Sequence, residues 1–254
     1  MPAKKSLTGE RVRNLLSYLR SLFFTNLLIY FYTAVCGTIS LCGSLFDARG
    51  RWQHACARCW SWLILKTSGI RARVEGLEHV DPRRTTIFCA NHQSAMDIPI
   101  LFVHLPVQFR FVAKRSLFRL PFLGWHLLRS GHIPVDRERP REARKSLDQV
   151  AEKIRAGRSV VLFPEGRRSR DGQIGPFKGG SFYLAIRAGV PIVPITLNGT
   201  RAVLKPETFH VRSGQTEVIF HHPIPTADLT LGDVDLLAQR VRGKILSRFR
   251  PLSC

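Results

Sequence analysis

The sequence predicts an α/β fold: a mostly parallel mixed sheet flanked by helices, preceded by a hydrophobic helical segment. Three observations carry this expectation. From Arg71 onward, short apolar runs alternate with stretches of helical spacing, the pattern of strands joined by crossover helices. Several of those runs end in glycine, proline or a polar cluster, as strands do. Between Ser21 and Phe46 no residue is charged. The chain divides into residues 1–68, basic and then hydrophobic, and residues 69–254, the α/β domain.

In chain order, residues 1–20 are polar and basic, with Lys4, Lys5, Arg11, Arg13 and Arg20. Ser21–Phe46 is long enough to span a bilayer, since about 20 apolar residues suffice. Both of its flanks are basic, the distal one through Arg49, Arg51 and Arg58. Positive charge favours the cytoplasmic side, so both flanks belong there. Gly37 and Gly43 divide the stretch, and a helical hairpin dipping into one leaflet is expected rather than a crossing span. Arg51 to Thr67 reads as a helix carrying Trp52, Trp60 and Trp62 among basic residues, stopped at Ser68-Gly69.

Strands are predicted at Ala72–Glu75, Thr86–Ala90, Phe109–Ala113, Ile133–Val135, Val160–Phe163, Ile192–Leu197 and Glu217–Phe220. Helices are predicted at Ala95–His104, Pro121–Ser130, Pro140–Ala156, Gly180–Ala188 and Leu231–Arg248. In the third of these, Ala143, Leu147, Val150 and Ile154 form one apolar stripe, and Gly157 supplies the stop.

Of the 254 residues, 44% are apolar, ample for one core. Lys and Arg number 39 against 18 Asp and Glu, a formal net charge of +21. That excess implies an anionic partner. Zinc-finger spacing and aromatic-rich RNA-binding motifs are missing, so an anionic membrane surface is expected and nucleic acid is not. Six scattered cysteines do not make a disulfide framework and point to a reducing compartment. Cys56-Ala57-Arg58-Cys59 reads as helix packing, and Cys89 as core. The histidines show no zinc-like pattern, so no metal is implied.

The most informative segment is Asn91-His92-Gln93-Ser94-Ala95-Met96-Asp97, directly after a buried strand. Five helical residues turn the chain by about 500°, so His92 and Asp97 cannot share one face of a regular helix. They pair if His92 lies on the turn before the helix and Asp97 in its first turn. An imidazole held by a carboxylate is a general base with its tautomer fixed. Ser94 lacks a nucleophile elbow around it and reads as structural.

Three further segments accompany this one. Val160 to Arg170 is a strand ending in Pro164-Glu165-Gly166, followed by Arg167, Arg168 and Arg170. Guanidinium forks suit phosphate, and glycine lets backbone approach a ligand. Gly131 to Arg137 is a short strand ending in Asp136-Arg137, and Val190 to Gly199 is a strand with two prolines and a glycine exit.

Together the four blocks resemble the glycerolipid acyltransferase superfamily, and specifically the 1-acylglycerol-3-phosphate acyltransferases, from about Gly76 to Gly199. Asn91-His92-x4-Asp97 matches the catalytic block, Gly131 to Arg137 the second, Phe163-Pro164-Glu165-Gly166 with Arg168-Ser169 the third, and Val190 to Pro194 the fourth. Arg167 departs from the threonine usual at its place. The resemblance implies acyl transfer from a thioester, acyl-coenzyme A or acyl carrier protein, to the sn-2 hydroxyl of a membrane lipid acceptor, with no cofactor. It implies His92 and Asp97 as catalytic. It also implies an acceptor-phosphate site built on Arg168, with Arg137, Lys114, Glu165, Gly166 and Lys178 converging on it. Lys178 precedes a helix whose first amides could also face phosphate, while Arg115 fits a basic membrane rim. The expected location is the cytoplasmic face of a membrane, the inner membrane if bacterial. Two other readings are another lysolipid acceptor, such as a lyso-ornithine lipid, and a non-catalytic membrane-bound binding protein.

Overall fold

The computed structural model describes residues 3–47, 49–120, 123–135 and 140–251. Asp136 and Arg137 lie outside the described residues, as does Pro121. Helices α1 (Ala3–Arg20) and α2 (Asn26–Gly43) are joined through one π-helical turn, Ser21–Thr25. Both junction residues, Arg20 and Thr25, keep right-handed helical angles, so the helix is continuous. Its Arg11–Gly43 portion is 33 residues long and apolar enough to cross a bilayer by length and composition.

The expected break at Gly37 is therefore absent. A helix-interior glycine weakens a helix by about 1 kcal/mol without ending it. The chain turns only beyond Gly43, and α3 (Arg51–Ser68) runs back along α2. A Cβ on Gly43 would lie 1.9 Å from Nε1 of Trp52, so this glycine admits the indole. Trp52 Nε1 donates to the Ile39 carbonyl (3.2 Å) and Trp60 Nε1 to Thr33 Oγ1 (3.0 Å).

Among the described residues seven strands follow: β1 (Ile70–Glu75), β2 (Ile87–Ala90), β3 (Arg110–Lys114), β4 (Ile133–Val135), β5 (Val160–Leu162), β6 (Ile192–Asn198) and β7 (Gly214–Phe220). They form one sheet in the order β1-β7-β6-β2-β5-β3-β4. Every pairing is parallel except β6 with β7, so the sheet is mixed and mostly parallel, as the sequence predicts. The other helices are α4 (Asp97–His104), α5 (Leu123–Arg129), α6 (Pro140–Arg155), α7 (Gly180–Ala188), α8 (Thr200–Val203) and α9 (Val234–Leu246).

Alternation along β2 shows how the sheet sorts its two faces. Phe88 and Ala90 join Ile64 of α3 and Ile100 and Leu101 of α4. Ile87 and Cys89 join Val150 and Ile154 of α6, Phe182 of α7 and Val241 of α9. Burying each large side chain stabilises the fold by roughly 1.5–3 kcal/mol. Cys89 is fully enclosed, and burial pushes its thiol well above the ordinary value, which disfavours a nucleophilic role.

Beneath β3, His132 is buried and its Nδ1 accepts the Phe111 N–H (2.9 Å). Burial, with Arg110 adding to the effect, holds this imidazole down at about 3. The unfolded chain titrates near 6.5, so it binds more protons than the folded chain between those values. Stability is thus full above the unfolded value and is lost as pH falls toward the folded one. At pH 5 we expect a loss on the order of 2 kcal/mol from this group, read as a lower thermal midpoint than at pH 7.5. His132→Asn keeps an acceptor near Nδ1 without a titrating group and should reduce this acid sensitivity. Equal sensitivity in the variant would remove His132 from the explanation.

Candidate active site

The parallel strands β2, β5 and β3 end along one edge of the sheet, where α/β folds gather their ligands. Past β2, Asn91 continues the ladder with its side chain: Nδ2 donates to the Leu197 carbonyl (2.9 Å) and Oδ1 accepts the Leu197 N–H (2.7 Å). His92 then turns off the sheet, and Asp97 opens α4. His92 Nδ1 lies 2.7 Å from Asp97 Oδ2. The same oxygen accepts the N–H groups of Gln93 (2.8 Å) and Ser94 (2.9 Å). Asp97 is wholly buried, and its Oδ1 has no hydrogen-bond partner among the described residues. Nδ1 of His92 therefore carries the proton toward Asp97, leaving Nε2 as the basic nitrogen.

The backbone of His92 is fixed as firmly as its ring. Its N–H donates to Glu165 Oε1 (2.8 Å), and its carbonyl accepts the Ser169 N–H (2.9 Å). The imidazole stacks on Phe163, with centroids 3.9 Å apart. Ser94 Oγ donates to the Leu204 carbonyl (2.7 Å) and is fully buried, a structural placement.

His92 lines a cavity of about 350 Å³. Ile98, Phe111, Leu117 and Phe163 give it apolar walls, and Lys114, Arg167, Arg168 and Arg170 give it positive charge. Gly166 also lines it, with φ +77, a left-handed conformation that favours glycine. So Lys114, Gly166 and Arg168 line the same cavity as His92.

Two residues expected on the acceptor are elsewhere. Glu165 is buried, does not line the cavity, and uses both oxygens on backbone, Oε1 for His92 and Oε2 for the Gly175 N–H (3.1 Å). Burial raises its carboxyl above the ordinary range, against the lowering effect of those two N–H groups. It holds the base rather than an arginine or a hydroxyl. Lys178 is exposed and does not line the cavity, and its N–H donates to the Pro164 carbonyl (2.9 Å). The helix after it, α7, buries Phe182 and Leu184 in the opposite core and does not front the cavity.

Glu207 and Arg201 carry no motif in the sequence. Glu207 lines the cavity at φ +63 and meets Arg170 at 3.3 Å. Arg201 donates from Nη1 to the Ser169 carbonyl (2.9 Å) and from Nη2 to that of Arg170, clamping the arginine loop.

A family model described as Acyltransferase matches residues 71–198, the span that holds His92, Asp97, Glu165 and the arginines of the cavity, while Arg201 and Glu207 lie just beyond it. The chain belongs to the acyltransferase family. It is 35% identical over 204 residues to a chloroplastic 1-acyl-sn-glycerol-3-phosphate acyltransferase of Brassica napus, a match covering 79% of this chain and 57% of that one. The chain thus spans little more than half the length of that plant relative. A Saccharomyces cerevisiae 1-acyl-sn-glycerol-3-phosphate acyltransferase is 31% identical over 93% of this chain and 78% of its own. The crystal structure of a 1-acyl-sn-glycerophosphate acyltransferase from Thermotoga maritima superposes with a TM-score of 0.71 at 24% identity, covering 94% of this chain and 99% of that chain. That likeness establishes the shared fold.

Proposed function

We propose that this acyltransferase moves a fatty acyl group from an acyl thioester to the sn-2 hydroxyl of 1-acyl-sn-glycerol-3-phosphate, giving phosphatidic acid. The observation that carries this reading is one cavity lined by both the Asp97-held imidazole and three arginines, Arg167, Arg168 and Arg170. His92 Nε2 takes the hydroxyl proton as the oxygen adds to the thioester carbonyl. Asp97 stabilises the imidazolium that forms. The tetrahedral adduct then expels the thiolate, and His92 returns the proton to sulfur. No acyl-enzyme intervenes. The donor is acyl-coenzyme A or acyl carrier protein. Arg167 adds charge where the family usually has threonine, which favours a phosphomonoester over a zwitterionic lysolipid.

The test is a donor-by-acceptor matrix with products identified by mass. Phosphatidic acid should dominate. Turnover confined to lysolipids without a phosphomonoester would overturn the reading. Arg168→Ala should raise the acceptor KM about 10–100-fold, as loss of a charge-assisted contact does, and move the donor KM less. The reverse ranking in steady-state kinetics would exchange the two sites.

The apolar helix anchors the enzyme from the cytoplasmic side without crossing. Ser21 Oγ donates to the Phe209 carbonyl (3.0 Å) and accepts the Val211 N–H (2.8 Å), while Ser40 Oγ meets His126 Nδ1 (3.0 Å). Those two positions are roughly 28 Å apart along the helix, close to a bilayer core's thickness. Both touch the same folded domain, which supports a helix that lies along that domain over one that spans the bilayer.

A further inference from the structure

Helix α5 and the turn before it, Arg115–Arg119, present an apolar surface that the catalytic chemistry does not use. Leu120, Leu123 and Leu128 are 48%, 44% and 56% exposed, and Trp125 is 54% exposed. Scattered apolar side chains are ordinary on a surface, but a dense group marks an interaction site. This group continues an existing apolar face. His126, on α5, bonds Ser40 of α2, whose exposed side carries Tyr30, Phe31, Val35 and Ile39. Past α2 the face extends to Leu45 and Phe46, the latter 92% exposed. At its other end it reaches Leu117, which is exposed and lines the cavity beside His92. Arg119 and Arg129 flank it, both exposed. Large apolar groups edged by arginine match the boundary between acyl chains and anionic headgroups.

We propose that α5 and the preceding turn form a second membrane-inserting face, seated beside α2 in an anionic leaflet. It brings the mouth of the cavity to the acyl chains, so a lipid acceptor enters at Leu117 without passing through water. This rests on the reading of the substrate as a bilayer lipid. It adds that the catalytic domain has its own contact with the bilayer, separate from the N-terminal helix.

The experiment uses the full chain with Leu120→Ser, Leu123→Ser and Leu128→Ser combined, none of which lines the cavity. Vesicles of phosphatidylcholine with phosphatidylglycerol carry lysophosphatidic acid, and a parallel assay disperses the acceptor in detergent. Turnover on vesicles should fall at least about 10-fold, while turnover in detergent stays within about twofold, since three apolar anchors leave the bilayer. An equal vesicle-to-detergent ratio in variant and wild type would overturn the proposal. So would a change from dimer to monomer in detergent with vesicle turnover kept, which would assign the face to a second copy of this chain. A second measurement needs neither turnover nor the triple variant. Lipids brominated in their acyl chains should quench wild-type fluorescence more than that of Trp125→Phe. Equal quenching would place α5 outside the bilayer. Failure of the acceptor assignment would instead appear as wild type inactive on lysophosphatidic acid while Trp125 is still quenched.

Discussion

His92→Ala will lower kcat by about 10²–10⁴-fold, the usual contribution of a positioned general base, while the protein stays folded. Both halves of this expectation follow from the contacts of one residue. The variant keeps the His92 N–H on Glu165 and the His92 carbonyl under the Ser169 N–H, so the turn keeps its backbone anchors. Asp97 keeps its bonds to Gln93 and Ser94. What disappears is the imidazole, its bond to Asp97 and its stack on Phe163. A stability loss near 1 kcal/mol fits that inventory. Single-turnover rates with phosphatidic acid as product, set beside thermal melts of the same preparations, separate the two effects. Near-normal turnover in a folded variant would falsify the mechanism. A variant that fails to fold would instead show that the Phe163 stack carries more of the domain than its geometry suggests.

The strand–turn–helix around His92 was legible because each part has a local cause. Ile87-Phe88-Cys89-Ala90 is apolar on both faces, as a strand inside a parallel sheet must be. The impossibility of a shared helical face then forces His92 onto the turn, and the 2.7 Å bond to Asp97 has that form. Helix α7 and strand β4 were bounded correctly because Gly179-Gly180, Gly189 and Gly131 punctuate the chain around them. Other features had no local signature. The placement of Glu165 depends on where Gly175 returns, ten residues later in the chain, and an acidic residue beside three arginines reads equally well as their partner. Arg201 clamps carbonyls that only the fold brings near it. Gly37 looked like a break, but one glycine inside a helix weakens it without ending it, and the helix ends only at Gly43, where Trp52 lies against it. The continuity of the N-terminal helix was hidden for a related reason. Its polar first turns and its apolar remainder read as two segments, whereas Ser17, Ser21 and Asn26 all bond His210 or Phe209 from one unbroken helix.

Asp97→Asn is expected to lower kcat by roughly 10²–10³-fold with the acceptor KM nearly unchanged, and the reason lies in how its neighbours constrain an amide. Three donors converge on Oδ2, two of them backbone N–H groups that cannot turn away. An asparagine must set its carbonyl oxygen toward them, because its NH₂ would face two donors. The His92 proton therefore stays on Nδ1, and Nε2 stays available as a base. What is lost is the negative charge beside an imidazolium that exists only once the hydroxyl has given up its proton. An interaction made only with that charged state changes kcat and leaves acceptor binding alone. The amide's NH₂ would occupy the place of Oδ1, buried with no partner among the described residues, at a cost of about 1–3 kcal/mol in stability. Asp97→Ala differs in kind: it strands the Gln93 and Ser94 N–H groups and frees the ring, so it should lose more stability than Asp97→Asn. Measuring kcat, KM and the thermal midpoint for both variants divides the carboxylate's contribution into charge and scaffold. If Asp97→Asn turns over within about threefold of wild type, less than the usual weight of such a charge, Asp97 serves only to fold the turn, and the base works without it.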